Sequence, residues 1–423
     1  MPGLRELTAQ TRPKQAMRWV RAAALVLLLG PGFAAGSAMT LDQALQSAFS
    51  ANPELAAAQW EIGITDGERK QAGLIPNPEV SWEAEDTRRD SRTTTVLLSQ
   101  SIELGGKRGA RIDVASRAQD AAGIELERRR NGLRADVIQA FSGVQTAQQR
   151  LQLSRQSLQL AEQGVRVARG RIEAGKSSPV EGTRAQVQLS EVRLELSRAE
   201  RDQANAWQQL AQVMGAPLPM SVNVQAAAQG MPDVPPSARL LDQLNNTAEL
   251  RLAALLIDQR EASLGLEKAQ RIPDLTVSVG SQYSETERER VNVVGLSMPI
   301  PLFNRNQGNV LAAARRADQS RDLRNATELR LRTETRTTLE QWQTANGEVL
   351  AFDQTILPAA QSAVDSATRG FEMGKFGFLD VLDAQRTLIS ARTQYIQAVA
   401  EATDARVRIE RIFGDLDALA ASR

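Results

Sequence analysis

The sequence predicts a mainly α-helical protein that also carries transmembrane β-strands. Three observations predict this fold class. The chain of 423 residues begins with a leader of the secretory type, and the remainder presents one series of patterns twice. Each series joins an alternating hairpin to long stretches that are nearly free of proline and rich in Ala, Leu, Gln, Arg and Glu, a composition that favours long helices.

The leader has the pattern of a signal peptide over residues 1–38. Arg18 and Arg21 precede the apolar run from Ala22 to Leu29, and small residues then lead to Ala38, where we expect cleavage. The apolar run is far shorter than the ~20 residues that span a bilayer as a helix. No later stretch is apolar enough for a membrane helix, so if the chain enters a membrane it must do so as a β-barrel.

Two structural repeats are predicted, at 39–215 and 239–423, with a linker at 216–238 between them. Glu54-Leu55 in the first repeat returns as Glu249-Leu250, 195 positions later. Prolines mark the linker, at Pro217, Pro219, Pro232, Pro235 and Pro236.

The ends of the repeats correspond as well. The turn Glu173-Ala174-Gly175-Lys176 returns as Glu372-Met373-Gly374-Lys375, and Met214-Gly215 returns as Phe413-Gly414, both 199 positions later. A small change in loop length accounts for the different offset. Each repeat is therefore predicted to contain a helix, a β-hairpin and a long helical hairpin.

Proline spacing sets the predicted helices. A helix from Lys107 to Arg169 would be about 95 Å long, and helices from Leu41 to Gly73 and from Val180 to Val213 about 50 Å each, at 1.5 Å per residue. Two shorter helices end to end match one long helix, which favours a tall cylinder of antiparallel helices. Pro358 should kink or interrupt its helix, because proline lacks a backbone donor and clashes with the preceding turn.

Four strands are predicted from alternating apolar and polar residues. Their lengths are close to the ~9 to 11 residues that cross a bilayer in a tilted barrel strand, although a soluble β-sandwich hairpin would alternate in the same way. Four strands cannot close a transmembrane barrel, so closure requires further copies. The predicted strands run from Glu79 to Glu85, Thr95 to Leu104, Leu275 to Tyr283 and Val294 to Leu302, with charged tips at 86–92 and 284–290.

Composition excludes most other functions. The chain has no cysteine and no histidine, so thiolate and imidazole catalysis and the usual zinc ligands are absent. The 51 basic and 50 acidic residues nearly cancel, which argues against a nucleic-acid partner. We predict no catalytic residues, no cofactor and no dedicated metal site, and Glu83 and Glu85 on one strand are expected to line a wet lumen.

One motif gives a false lead. Gly170, Gly175, Lys176 and Ser177 have the spacing of a phosphate-binding loop. That mechanism needs a buried strand before the glycines, whereas a long amphipathic helix precedes them here and Pro179 follows almost at once. The motif predicts a turn between antiparallel helices.

Three further segments resemble the TolC-like outer-membrane efflux proteins, in particular the heavy-metal branch of CzcC-like subunits. They are Ala72-Gly73-Leu74-Ile75-Pro76-Asn77-Pro78-Glu79, Gln100-Ser101-Ile102-Glu103-Leu104-Gly105-Gly106-Lys107-Arg108, and Pro299-Ile300-Pro301-Leu302-Phe303-Asn304-Arg305-Asn306-Gln307-Gly308. The resemblance implies a TolC-like α/β-barrel: a homotrimer in outer-membrane lipid, with four barrel strands per subunit and a periplasmic tunnel of long antiparallel helices. It also implies a periplasmic adaptor protein and an inner-membrane resistance-nodulation-division pump as partners, and heavy-metal cations of the cobalt, zinc and cadmium type as exported substrates.

The resemblance also points to a pore gate. In the family the aspartates of the stretch Asp-Val-Leu-Asp-Ala lie near the periplasmic tip, which makes Asp380 and Asp383 the gate candidates. Phe376 stands where some relatives have an arginine that locks the gate, so the resemblance does not carry that lock over to this chain. Glu181 and Arg184 occupy the equivalent positions of the first repeat. The alternative is a solvated helix N-terminus, where aspartate is favoured by the helix dipole.

The tips of the helical hairpins are expected to meet the adaptor. The candidate docking residues are Gly175, Lys176, Gly374, Lys375 and Phe376. A periplasmic coiled-coil adaptor or structural protein is the alternative function, and a secreted hydrolase is a more distant one.

Overall fold

The computed structural model describes residues 38–86, 88–216, 224 and 233–416. The signal peptide and most of the linker predicted above lie outside these residues. No helix in the described part of the chain is both long enough and apolar enough to cross a membrane.

The first half contains four helices and two strands. They are α1 (Leu41–Ala51), α2 (Pro53–Ala72), β1 (Glu79–Glu85), β2 (Thr93–Ile102), α3 (Lys107–Glu173) and α4 (Pro179–Met214).

The second half repeats that order, with a short α5 and a 3₁₀ turn at Leu244–Asn246 ahead of it and a π-helical turn at Phe352–Ile356 within it. Its elements are α5 (Ser237–Asp242), α6 (Ala248–Ala269), β3 (Leu275–Ser284), β4 (Glu289–Ser297), α7 (Gln307–Ala351), α8 (Leu357–Glu372) and α9 (Phe378–Phe413).

The long helix predicted from Lys107 is confirmed as α3. Its 67 residues correspond to about 100 Å at 1.5 Å per residue. Val137, Phe141 and Val144 lie on its buried stripe, where they pack with α1 and α4. Near the sheet α3 packs against α2 and α6, and towards its other end it packs against α4 and α9.

The prediction of one helix from Leu41 to Gly73 is wrong. The helix is interrupted at Asn52, which adopts an extended backbone conformation and separates α1 from α2. The Asn52 side chain accepts hydrogen bonds from the N–H groups of Glu54 (2.9 Å) and Leu55 (3.0 Å). Asn52 is therefore an N-cap and Pro53 the first residue of a new helix, where the missing N–H costs nothing.

The four strands form one antiparallel sheet in the order β1-β2-β3-β4. Both ends of β2 and both ends of β4 differ from the prediction. β2 begins at Thr93 and not at Thr95, and β4 begins at Glu289, inside the predicted tip at 284–290, and not at Val294. β4 ends at Ser297, because Pro299 and Pro301 have no backbone donor for a ladder, and not at Leu302. β2 ends at Ile102, short of Leu104, where the chain turns through two left-handed glycines into α3.

One face of this sheet is apolar. Residues directly opposite each other across an antiparallel pair lie on the same face. The register therefore places Val80, Leu98, Val279 and Val294 in one row across all four strands. All four are exposed in the single chain. The other face is mainly polar, as the hydrogen bond of 2.9 Å between Ser99 and Ser278 illustrates.

The predicted interruption at Pro358 is confirmed. The α-helical pattern of α7 gives way to the π-helical turn at Phe352–Ile356, and α8 then starts with Pro358 in its first turn. A π-helical turn widens the helix by one residue per turn, which accommodates the proline ring and the missing donor.

Each half has its own apolar core. The first contains Trp207 and Leu210 of α4 together with Met39, which pairs in a parallel bridge with Val224 of the linker. The second is built around Trp342 of α7 and small residues of α9 such as Ala402.

Candidate functional site at the helical tips

The turn from α3 to α4 closes with the hydrogen bonds of a Schellman motif. The N–H of Lys176 donates to the carbonyl of Arg171 (2.8 Å), and the N–H of Gly175 donates to the carbonyl of Ile172 (2.9 Å). Gly175 has a φ of +65°, a left-handed conformation that glycine adopts without steric cost. Ser178 then caps α4 by accepting from the N–H of Val180. The amides that would cradle a phosphate are therefore used to end α3.

The turn from α8 to α9 has the same backbone pattern. The N–H of Lys375 donates to the carbonyl of Gly370 (2.8 Å), and the N–H of Gly374 donates to Phe371 (2.9 Å). Gly374 has a φ of +71°. The correspondence of 199 positions seen in the sequence therefore extends to individual hydrogen bonds.

The side chains of the two turns differ. The Phe376 ring covers Gly370 so closely that a side-chain carbon there would lie 2.1 Å from the ring. Phe371 and Phe378 pack edge to face, with ring centroids 5.5 Å apart. In the first turn Ser177 instead donates to the carboxylate of Glu181. The second tip is thus an exposed aromatic cluster, whereas the first is polar.

The gate candidates lie at the start of α9. Asp380 is exposed, and its carboxylate accepts a hydrogen bond of 2.7 Å from the N–H of Gly377. Asp383 lies nearly one turn further along α9 and is exposed, with no ion pair among the described residues. The alternative interpretation, a solvated helix N-terminus, accounts for Asp380, because its carboxylate caps its own helix. That interpretation predicts no contact for Asp383.

A cavity of about 470 Å³ lies behind these tips, between α3, α4 and α9. Leu382 of α9 packs onto Gly164 of α3, where a side-chain carbon would lie 3.4 Å from the leucine methyl group. Arg184 of α4 and Arg386 of α9 both line this cavity and a second one beside it. Two guanidinium groups thus line this cavity together with Leu379 and Leu382 of α9.

Sequence reasoning did not single out Arg386. Its position three residues after Asp383 places it on a neighbouring part of the same helix surface, and that spacing is visible in the sequence. The helix that Arg386 faces could not be predicted from the sequence, because it depends on the packing of α4 and α9 against α3.

The junction between sheet and helices holds a second polar cluster that the sequence did not reveal. Arg111 donates to both carboxylate oxygens of Glu103, one of them at 3.0 Å, and Lys107 forms an ion pair of 2.6 Å with Asp274. Hydrogen bonding from Arg111 lowers the pKa of the Glu103 carboxyl. These contacts attach α3 to the sheet. No group of three or more His, Cys, Asp or Glu side chains among the described residues is placed to hold a metal ion.

Fold and tips together define a class of protein, the TolC-like channel subunits. The family model described as "Outer membrane efflux protein" matches residues 44–216 and 240–415. The chain therefore belongs to the outer membrane efflux protein family and is a protein of the outer membrane with a helical extension into the periplasm.

Individual relatives agree with this assignment. The chain is 38% identical to the cobalt-zinc-cadmium resistance protein CzcC of Cupriavidus metallidurans, over 91% of this chain and 92% of that protein. It is 26% identical to the nickel-cobalt-cadmium resistance protein NccC of Alcaligenes xylosoxydans, over 69% and 68% of the two chains. The solved outer-membrane channel OprN has the same fold, with a TM-score of 0.73 over 88% of this chain and 89% of OprN at 18% identity.

Proposed function

We propose that this chain is one subunit of a homotrimeric conduit that lets heavy-metal cations leave the periplasm. The observation that carries the proposal is the sheet, which has an exposed apolar face and two open edges. In a bilayer, open edges leave backbone groups unpaired at several kcal/mol each, so the sheet must close with copies of itself. Three copies of four strands give twelve, an even number within the range of bacterial barrels.

The substrate class is proposed from the relatives. CzcC, at 38% identity, is named for resistance to cobalt, zinc and cadmium. A conduit for such cations needs no catalytic group in this chain, and selection among ions then belongs to the pump. The pump is proposed to be an inner-membrane resistance-nodulation-division protein.

The tips are proposed to dock a periplasmic adaptor. Gly175 and Gly374 fix two closely similar turns, and Lys176, Lys375 and Phe376 are exposed on them. The aromatic cluster of the second tip offers apolar area, and the two lysines offer positive charge. A helical hairpin with an apolar, acidic end would complement both.

Asp380 and Asp383 are proposed as the gate. Three copies would bring six carboxylates to one mouth, and a ring of carboxylates favours cations. Asp383 is the stronger candidate, because the carboxylate of Asp380 already binds the N–H of Gly377. Arg386 lies on the same helix and would oppose that preference.

Deleting the gene from a metal-resistant host tests the conduit. We expect lower tolerance to Co²⁺, Zn²⁺ and Cd²⁺ and higher periplasmic metal content, both restored by the wild-type chain. Unchanged tolerance together with unchanged efflux would contradict the proposal.

Single-channel recording tests the gate. Asp383→Asn should weaken the preference for cations, because it removes three of the six carboxylates of the trimer. Glu372→Gln, at an exposed position before the turn, is the matched control and should leave the preference unchanged. Equal selectivity of Asp383→Asn and the wild type would remove Asp383 from this role.

A further inference from the structure

The two halves of one chain meet where the end of β2 packs against the segment that precedes β3, and this contact is called the joint. Where β2 passes into α3, Gly105 packs directly on Ile272 at the start of the second hairpin; a side-chain carbon on Gly105 would lie 2.9 Å from the Cβ of Ile272. The N–H of Leu104 donates to Asp274 (3.3 Å), and Lys107 pairs with the same carboxylate.

The sequence contains both sides of this joint a second time. Ile102-Glu103-Leu104-Gly105 corresponds to Ile300-Pro301-Leu302-Phe303, which follows β4. Ile272-Pro273 corresponds to Ile75-Pro76, which precedes β1. The end of one half and the start of the other thus each have a counterpart in the same chain.

In the single chain these counterparts are largely uncovered. β1 and β4 are the outer strands of the sheet, so Ile75 and Phe303 lie at opposite margins. Phe303 is 90% exposed and Ile75 is 64% exposed, against 46% for Ile272, which Gly105 partly covers. Leu302 and Leu74 beside them are 65% and 58% exposed. Apolar groups this exposed, at both margins and at the same level of the fold, indicate an interface.

We propose that Phe303 of one copy packs on Ile75 of the next copy, so that the joint between copies reproduces the joint between the two halves of one chain. The inference rests on the proposed homotrimer and names its contact. A second copy is the occupant because it alone supplies the matching half-joint, and the two open strand edges meet in the same arrangement.

The joint between copies also differs from the internal one. Phe303 corresponds to Gly105 of the joint within one chain. In that internal joint the glycine backbone packs on Ile272, whereas an aromatic ring fills the equivalent space between copies. Asn77 corresponds to Asp274. An amide in place of the carboxylate gives a hydrogen bond there and not an ion pair.

The absence of cysteine makes a direct test simple. The double variant Ile75→Cys with Phe303→Cys, made in the full chain in its membrane, is oxidised and run on a denaturing gel without reductant. We expect bands at two and three chain masses, which reductant abolishes. A short bismaleimide provides a second measurement, since a disulfide needs the two Cβ atoms within about 4.5 Å.

The control variant combines Phe303→Cys with Ile272→Cys. Residue 272 is already covered by Gly105 of the same chain. That pair should give no ladder, and neither should the single variants. Size measurement under native conditions shows whether each variant is still a trimer. An intact trimer without a ladder from the first pair, or an equal ladder from the control pair, would overturn the assignment without affecting the conduit. Labelling of Phe303→Cys by a lipid-soluble thiol reagent, with no ladder, would place this residue in lipid instead.

Discussion

At the scale of single residues, the turn glycines show how local geometry fixes the tips. Gly175 and Gly374 both have positive φ and end helices of very different length. The repeated turn could be predicted from the sequence, because both repeats have glycine at this position although the neighbouring side chains differ. A left-handed backbone conformation explains this choice of residue. The contacts of Phe376 with Gly370 could not be predicted, since they depend on how α8 ends.

Gly374→Ala tests this requirement. An L-residue in the left-handed region costs about 1–2 kcal/mol, so the turn should open more readily while the rest of the fold is unchanged. Hydrogen exchange of the amides at Gly374 and Lys375 is the measurement. Gly347→Ala, about one turn before the end of α7 with open space around it, should be neutral or stabilising. Equal exchange at the tip in both variants would contradict the argument.

Asp404 on α9 makes a second prediction at this scale. Burial raises the pKa of its carboxyl, against the opposing effect of Arg408. A folded pKa above the unfolded value means that the ionised carboxylate destabilises the fold at neutral pH. Stability is regained as pH falls through the folded pKa towards the unfolded value.

Asp404→Asn should therefore raise the melting temperature at pH 7 and remove this part of the pH dependence. Thermal unfolding of the purified protein at a series of pH values is the measurement. Asp365→Asn, at an exposed position on α8, is the matched control and should leave the profile unchanged. A lower melting temperature for Asp404→Asn would mean that its hydrogen bond to Gln139 outweighs the burial.

At the scale of elements, the sequence predicted which helices and strands exist better than where they end. The long helix α3 and the interruption at Pro358 followed from proline spacing and composition. The break at Asn52 was missed because a helical composition continues on both sides of it. The end of β4 was missed because alternation continues through Ile300, although the prolines around it cannot pair.

The junction of α3 with the sheet predicts a response to acid. Arg111 holds the pKa of Glu103 below its usual value. A lowered folded pKa gives stability that is present above the unfolded value of 4.5 and is lost as pH falls through the folded pKa. Arg111→Gln should therefore weaken this junction at neutral pH and reduce the further opening that acid causes.

Hydrogen exchange at the start of α3 between pH 3 and 7 would detect this change. Arg117→Gln is the control, because its ion pairs with Asp113 and Asp258 are long and half-exposed. An unchanged acid response of Arg111→Gln would show that Glu103 is held by other contacts.

At the scale of the whole molecule, the apolar face of the sheet determines where the protein resides. The membrane prediction depended on a pattern that a soluble sandwich shares, and the register now places Val294 in a continuous apolar row. Val294→Arg should cost about 2–4 kcal/mol near the bilayer midplane and reduce the amount of assembled protein in the outer membrane.

Thr95→Arg is the matched variant on the opposite face, where Thr95 lies directly across from Glu83. An arginine there should be tolerated. Membrane fractionation followed by a gel of unheated and heated samples would quantify assembly of both variants. Equal loss in both, or in neither, would contradict the assignment of the two faces.

The π-helical turn at Phe352–Ile356 makes the two hairpins mechanically unequal. α3 is one continuous helix of 67 residues. The corresponding helix of the second half is interrupted about 24 Å from the tip, which is the length of the 16-residue α8. Bending stress therefore concentrates at that interruption. We therefore expect the second hairpin to bend more easily than the first, and it is the second hairpin that carries Asp380, Asp383 and the aromatic cluster.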